Sequence, residues 1–423
     1  MPKKPESRST NHQLEYLDTN GAVGGGPVKR VLVLGSGGRE HAIGWAFAQS
    51  GFQVDFYPGN PGTARCGRNV KIESWETLKE YDLVIPGSEE FLAMGVADGR
   101  PNVFGPDKKG ALLEASKSFA KSFMIKYGVP TARYETVTNE ESLLKALENF
   151  TPPFVLKLDG LAQGKGVVIA QEKRFAYDIG MKMLRGEFVK GVGGKLVIEE
   201  FLEGKELSAI SIIQGRRFAL LPFTRDYKRA FTGNLGPNTG GMGSYGPVQI
   251  DDKLKAKVED IFARTLSGLE QEGISYRGFL YAGLMLVDDD PYVLEFNVRL
   301  GDPETEAIVY MAPELFVENV LKAFNGEPFD EYFPNQYAVD VVIASEGYPE
   351  SPKKGQEIHV QPGGFYFFAG VSESNGKFYV SGGRVLHAMG RGSTLETARE
   401  EAYRNVSRVR FEGMFFRTDI ASL

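Results

Sequence analysis

The sequence predicts a multidomain protein that is α/β at its start, α+β through its middle and β-rich at its end. Three observations lead there. Short apolar strands before residue 110 each run into a glycine-rich turn. From about Ala111, helical stretches alternate with paired strands, and beyond Tyr337 strand segments cluster around the hairpin turn Asn375-Gly376. A chain of 423 residues is also too long for one compact core. Units are expected at 30–110, 111–330 and 331–423.

The first unit opens with a buried strand, Val31 to Leu34, then Gly35-Ser36-Gly37-Gly38 and a helix from near Arg39. Strands at Val54 to Tyr57, Leu83 to Ile85 and Asn102 to Phe104 end in Gly59-Asn60-Pro61-Gly62, Pro86-Gly87-Ser88-Glu89 and Gly105-Pro106. This is the pattern of a parallel sheet, in which ligands sit beyond the carboxyl ends of the strands. The middle unit reads as a helix from Ala111 to Tyr127, a strand from Ala132 to Val137, a helix from Glu140 to Asn149 and a strand from Phe154 to Asp159. The last unit reads as strands at Ala338 to Ala344, Gly364 to Val371, Lys377 to Val380 and Arg384 to Met389, with a helix from Leu395 to Val409. Residues 1–29 carry charge and glycine without an apolar core, and are expected to be a disordered tail rather than a secretory signal.

Net charge is −6 and no basic run exceeds a few residues, which argues against nucleic acid as a partner. Cys66 is the only cysteine and there are four histidines, so neither a disulfide nor a thiolate zinc cluster is expected, and a cytoplasmic setting fits. The longest apolar run, Phe279 to Val287, is about half of a bilayer span, so no membrane association is expected.

The most informative stretch is Tyr292 to Glu304. Glu295, Asn297 and Arg299 alternate with Leu294, Phe296 and Val298, so a strand would send the three polar side chains to one face. Carboxylate and amide oxygens suit a hard cation, and Arg suits phosphate, although an edge strand with a surface ion pair would look the same. Gly35 to Glu40 follows a strand and opens a helix, as a phosphate site or a plain turn would; Glu40 stands where the dinucleotide fingerprint needs its last glycine.

Lys157 sits between Leu156 and Leu158, ahead of the glycine loop Gly160 to Val167. A strand lysine must escape to solvent or meet an anion. The loop lacks the Ser or Thr of a P-loop, and would serve as a lid over a triphosphate or as a flexible hairpin with a solvated Lys165. Leu196 to Leu202 places Glu199 and Glu200 at a strand end before Glu206. Asp226 to Arg229 precedes the long loop Gly236 to Gly243, which suits a small zwitterion.

In order along the chain, GSGGREHA (35–42), PGNPGT (58–63), LEASKSFAK (113–121), KLDGLAQGKGV (157–167), EEFLEGKELS (199–208), GPNTGGMGSYGP (236–247), GFLYAGLM (278–285) and EFNVRLGDPET (295–305) resemble the phosphoribosylamine–glycine ligase family of ATP-grasp enzymes. The resemblance runs from about residue 30 to the C-terminus. It implies a pre-ATP-grasp domain at 30–110, an ATP-grasp domain at 111–330 with a lid at about 130–200, and a β-rich C-terminal domain.

It also implies ligation of glycine to 5-phosphoribosylamine in purine biosynthesis, through a glycyl phosphate, with ATP and Mg²⁺ or Mn²⁺, by a monomer or weak homodimer. Matched by motif, Lys117, Lys157, Gly164 and Gly166 would meet ATP phosphates, and Glu199, Glu200, Leu202 and Glu206 the adenosine. Glu295 and Asn297 would hold metal, and Arg299, with Asp226 and Lys228, would serve phosphoryl transfer. Asp226, Asn238, Thr239, Gly240, Gly241 and Asp302 would place glycine, and Gly37, Gly38, Arg39, Glu40 and Asn60 the ribose phosphate.

Departures from the family pattern fall at Phe231 to Asn234, at Pro86 to Leu92, at Tyr227 within DYKR, and in the short stretch between Gly62 and Leu83. Three other readings stay open: an ATP-grasp ligase for another acid or amine, a nucleotide-binding regulator without turnover, and an NAD-binding dehydrogenase, which Glu40 disfavours.

Overall fold

The computed structural model describes residues 28–162 and 165–422. The tail expected over 1–29 lies outside the described residues up to residue 27, and so does Gly164. The N-terminal sheet is parallel, in the order Arg68–Asn69, Gln53–Pro58, Arg30–Gly35, Leu83–Pro86. The strand expected at Asn102 to Phe104 is reduced to one parallel bridge, Val84 to Val103. Pro101 and Pro106 bracket it and supply no ladder donor. Helix Gly38–Gln49 buries Ala42, Ile43, Ala46 and Phe47 over this sheet.

The helix expected from Ala111 to Tyr127 is two, Leu112–Ala115 and Lys117–Lys126. Ser116 is extended (φ −131°, ψ 110°) and its hydroxyl accepts from Phe119 N at 3.2 Å, so it caps the second helix instead of continuing the first. The stretch from 134 to 200 forms an antiparallel sheet of its own, ordered Tyr134–Val137, Leu196–Glu200, Phe154–Leu158, Val167–Ala170. Helices Glu140–Asn149 and Lys173–Leu184 close it over Leu143, Phe154, Leu156, Met183 and Ile198.

A second antiparallel sheet runs Arg217–Leu220, Lys205–Gln214, Arg277–Val287, Asp290–Asn297. Its register slips between Gly283 and Leu284, which leaves Leu294 bulged. The strand ends at Asn297, so Arg299 lies just past it on a bend rather than in the alternation expected for it.

The C-terminal sheet draws on two parts of the chain. Its order is Arg225–Asp226, Gly243–Gly246, Tyr337–Ser345, Arg384–Gly392, Tyr366–Phe368. Helix Leu395–Val406 lies across it so closely that a Cβ on Gly390 would sit 2.0 Å from Ala398 O. That helix stops short of Val409, because Val409–Arg410 pairs with Glu357–Val360. The strand expected from Gly364 to Val371 is split by a tight turn, Val371 N donating to Ala369 O. Asn375 and Gly376 both take positive φ, as the hairpin requires. His41 Nδ1 accepts from Phe368 N at 2.8 Å, and Trp45 meets Phe367 edge-on, which docks the N-terminal helix on this sheet. Among the described residues no helix is long and apolar enough to cross a membrane.

Candidate functional site

Positive charge converges on Glu295. Lys228 Nζ lies 4.0 Å from its carboxylate, and Lys117, Lys157 and Arg299 also act on it. Crowding by protein opposes its ionisation, but these four cations together hold it below the usual carboxylate range. The side chain stays 37% exposed, so its oxygens remain open to a ligand. Asn297 fits beside it: with its amide nitrogen turned to Phe296 O (3.2 Å) and Glu114 Oε1 (3.0 Å), its oxygen is left free. Hard oxygen donors ringed by lysines and an arginine fit a divalent cation carrying phosphates.

Arg299 is clamped by Glu89 Oε2 at 3.1 Å and Glu114 Oε1 at 2.9 Å. Burial opposes ionisation of both acids. Arg299 and Arg39 nevertheless hold Glu89 down to about 2, while Glu114 rises to about 7. Sequence reasoning missed both acids. Glu89 lies in the altered stretch Pro86 to Leu92, and Glu114 was inside a quoted motif without a role. The other altered stretch docks on the chain end: Gly233 N donates to Asp419 Oδ2 at 3.0 Å, and Phe231 lies against Phe415.

Lys157 is buried, donating to the bulged carbonyl of Leu294 at 2.8 Å and pairing with Glu199 Oε2 at 3.0 Å. Glu199 Oε1 meets Lys121 at 2.9 Å. At 1% exposure Glu199 is a counter-ion that fixes two lysines, not a side chain facing adenosine. Glu200 takes Arg133 N at 2.8 Å. The chain leaves the sheet after Glu200, which puts the backbone of Leu202 outside strand pairing. Burial lifts the Glu206 carboxyl above its ordinary range, with Lys228 opposing. Lys117 Nζ donates to Gly160 O at 3.2 Å, at the root of the glycine loop. Gly166 O accepts from Leu158 N at 2.8 Å and so closes that loop's hairpin.

A cavity of about 610 Å³ opens beside this cluster. Ser36, Gly37, Asn60, Lys165, Asn238 to Gly240 and Asp302 line it from the expected side. Tyr348 and Arg384 line it from the C-terminal sheet, where no site residue was expected. Lys228 links the two regions: its ammonium faces Asp226 (3.7 Å) and Glu295, while its carbonyl accepts from Thr239 N at 2.7 Å. The Asp226 charge raises the Lys228 ammonium well above the lysine range, so it stays cationic. Gly241 closes the loop at φ +123°, where a Cβ would strike Pro303.

Several residues expected to contact substrate are instead the frame around it. Glu40 is buried, accepting from Gly37 N at 2.7 Å and from Arg39 Nε at 2.7 Å, while Arg39 reaches Leu300 O at 3.0 Å. A helix start needs acceptors for its free amides, and Glu40 supplies one from within. Gly38 is pressed against His387 and Glu306. The Asn60 amide nitrogen donates to Ser36 O and Phe368 O, and its oxygen accepts from Gly62 N and Thr63 N. It holds the loop in place and, with Ser36 and Gly37, also lines the cavity.

Comparison with known proteins agrees with this layout. Family models described as the N, ATP-grasp (A) and C domains of phosphoribosylglycinamide synthetase match residues 29–114, 115–305 and 338–423. A phosphoribosylamine–glycine ligase of Thermotoga maritima is 56% identical over 395 residues, covering 93% of this chain and 99% of the relative. The crystal structure of a phosphoribosylamine–glycine ligase from Thermotoga maritima superposes with a TM-score of 0.88 at 54% identity, covering 92% and 99% of the two chains. The biotin carboxylase domain of Hydrogenobacter thermophilus 2-oxoglutarate carboxylase, solved with MgADP, shares the fold at TM-score 0.71 and 15% identity, with 92% of each chain covered. The chain belongs to the phosphoribosylglycinamide synthetase family of ATP-grasp enzymes.

Proposed function

We propose that the chain joins glycine to 5-phosphoribosylamine at the expense of ATP, releasing glycinamide ribonucleotide, ADP and phosphate. Family membership supports the reaction, and one observation ties it to this geometry. Lys228 touches the acid of the cation cluster through its side chain and the cavity loop through its backbone, so activation and acceptor sites share a wall.

Lys117 and Lys157 would hold the nucleotide phosphates, with Glu199 and Lys121 keeping Lys157 in place. Glu295 and Asn297 would hold Mg²⁺ or Mn²⁺, which supplies charge neutralisation at the transferring phosphoryl group when bound. The backbone near Leu202, with Glu200 and Glu206, would receive adenosine. Arg299, held by Glu89 and Glu114, would stabilise the transferred group, together with Asp226 and Lys228. The Asn238 to Gly241 loop and Asp302 would seat glycine, and Ser36 with Gly37 the ribose phosphate.

No side chain needs to form a covalent bond. The residues orient the reactants and stabilise charge, and the lid at about 130–200 would shield the glycyl phosphate from water. The assignment extends to domain limits near 30–110, 111–330 and 331–423, a cytoplasmic setting, and a monomer or weak homodimer that binds neither nucleic acid nor membrane.

The test is a substrate panel followed by mass spectrometry of the product. Glycine with in situ phosphoribosylamine should give glycinamide ribonucleotide. Turnover with a different acid or amine, and none with this pair, would move the chain to another ATP-grasp ligase.

A further inference from the structure

Behind the cavity wall lies a buried set of groups of which the reaction above uses only Asp302. Asp302 lines the cavity and accepts from Arg39 N through Oδ2 at 3.3 Å. Its Oδ1 faces His387 Nε2 at 3.7 Å, about one ångström beyond a hydrogen bond. His387 is fully buried, and its Nδ1 lies 2.7 Å from Asp340 Oδ2 and 3.5 Å from Glu306 Oε1. Helix Gly38–Gln49 packs on the other side, where a Cβ on Gly38 would sit 2.6 Å from His387 Nε2 and 2.7 Å from Glu306 Oε1.

Among the described residues, both Glu306 oxygens, Asp340 Oδ1 and His387 Nε2 are buried without a hydrogen-bond partner, and Asp302 Oδ1 meets the Arg384 guanidinium as an ion pair. Orphaned polar atoms are costly, and a cluster of them beside a reaction site calls for a role. A divalent cation fits poorly, because Arg384 already stands 3.0 Å from Asp302 Oδ1. Its guanidinium donates to the Gly240 and Asp302 carbonyls, so it is fixed there. What the cluster has in excess is sites for protons.

We propose that His387, braced by Asp340 and reached through Asp302, takes up the proton released when the amine attacks the activated glycine carboxyl. The inference rests on the ligase reading. In that step the amine lone pair forms the C–N bond. The C–O bond to phosphate breaks, and its electron pair leaves with inorganic phosphate. One N–H proton passes to the Asp302 carboxylate and on to His387 Nε2. Asp302 touches substrate; His387 and Asp340 are positioning residues that act through it.

The groups facing His387 are Asp340, Glu306, Asp302, Arg384 and, on the packed helix, His41. Burial works against its charged form, yet Asp340 and Asp302 raise it above the ordinary histidine range. A neutral His387 is needed to accept a proton, so ligation should rise with pH through that raised value.

The experiment compares two reactions of the full chain from about pH 6 to about pH 9, starting near the ordinary histidine value and running above it. One is glycinamide ribonucleotide formation. The other is glycine hydroxamate formation from ATP, glycine and hydroxylamine, a small nucleophile that can shed its proton directly to water.

His387→Gln should slow ligation about 10²-fold, as expected for losing a general base, and remove its acid limb. Hydroxamate formation and the KM for ATP should be unchanged. Asp340→Asn should show a smaller loss, with the limb moved to lower pH. Hydroxamate formation also reports that each variant is folded.

Ligation and hydroxamate formation falling together, or an acid limb that survives in both variants, would overturn the proposal. Normal hydroxamate formation with undiminished ligation in His387→Gln would overturn it alone. Wild type that yields neither product would remove the ligase reading as well.

Discussion

Lys157 is largely buried, and among the described residues its ammonium is held by Glu199 and the bulged Leu294 carbonyl. Breaking a buried pair by removing one partner costs about 3–5 kcal/mol, because the remaining charge is stranded. Lys157→Met leaves Glu199 with Lys121 alone, so it should destabilise by about 3 kcal/mol in urea unfolding and weaken ATP binding. An undiminished midpoint would mean that Glu199 is compensated elsewhere. The sequence pointed to Lys157, Glu295 and Asn297 because an apolar alternation marks polar outliers. It could not point to Glu114 as a partner of the metal strand: Glu114 bonds Val298 N across 184 residues, a contact with no local pattern. Glu199 was visible as an acid at a strand end, but only packing shows that its side chain turns inward to two lysines.

At the scale of elements, helix Gly38–Gln49 meets the C-terminal sheet through His41, whose Nδ1 accepts from Phe368 N. Burial, with His387 and Arg65 adding repulsion, pushes His41 down to about 3. A base lowered on folding contributes stability that is present above its unfolded value of 6.5 and is lost as pH falls toward 3. Across that window wild type should lose up to about 1.4 kcal/mol per pH unit from this group. His41→Asn keeps an acceptor without the titration, so its unfolding free energy should fall less steeply between about pH 6.5 and about pH 4.5. Equal slopes would place the acid sensitivity elsewhere. Element type was legible wherever periodicity and turn chemistry agreed, as at Glu140–Asn149 and Asn375-Gly376. It failed where one residue overrode the pattern: Ser116 breaks a helix that reads as continuous, and flanking prolines shrink the strand at Val103.

The whole molecule is less modular than its three-part sequence texture. Strands Arg225–Asp226 and Gly243–Gly246 lie far upstream yet complete the C-terminal sheet, and the substrate cavity takes its far wall from Tyr348 and Arg384. Truncation before Tyr337 should therefore abolish cooperative unfolding by circular dichroism rather than yield an intact ATP-binding unit. A truncated chain that unfolds in one sharp transition and still binds ATP would contradict that. Long-range pairing of this kind leaves no trace in composition or spacing, which is why the C-terminal contribution to the site was not foreseen.

The most direct measurement is ADP release from ATP·Mg²⁺ in the presence of glycine, with and without phosphoribosylamine generated in situ, for wild type and Glu295→Ala. Release that requires both substrates and collapses in the variant is the expected result. Release that ignores either substrate, or that survives loss of Glu295, would contradict the assignment of ligation to this cation-ringed strand.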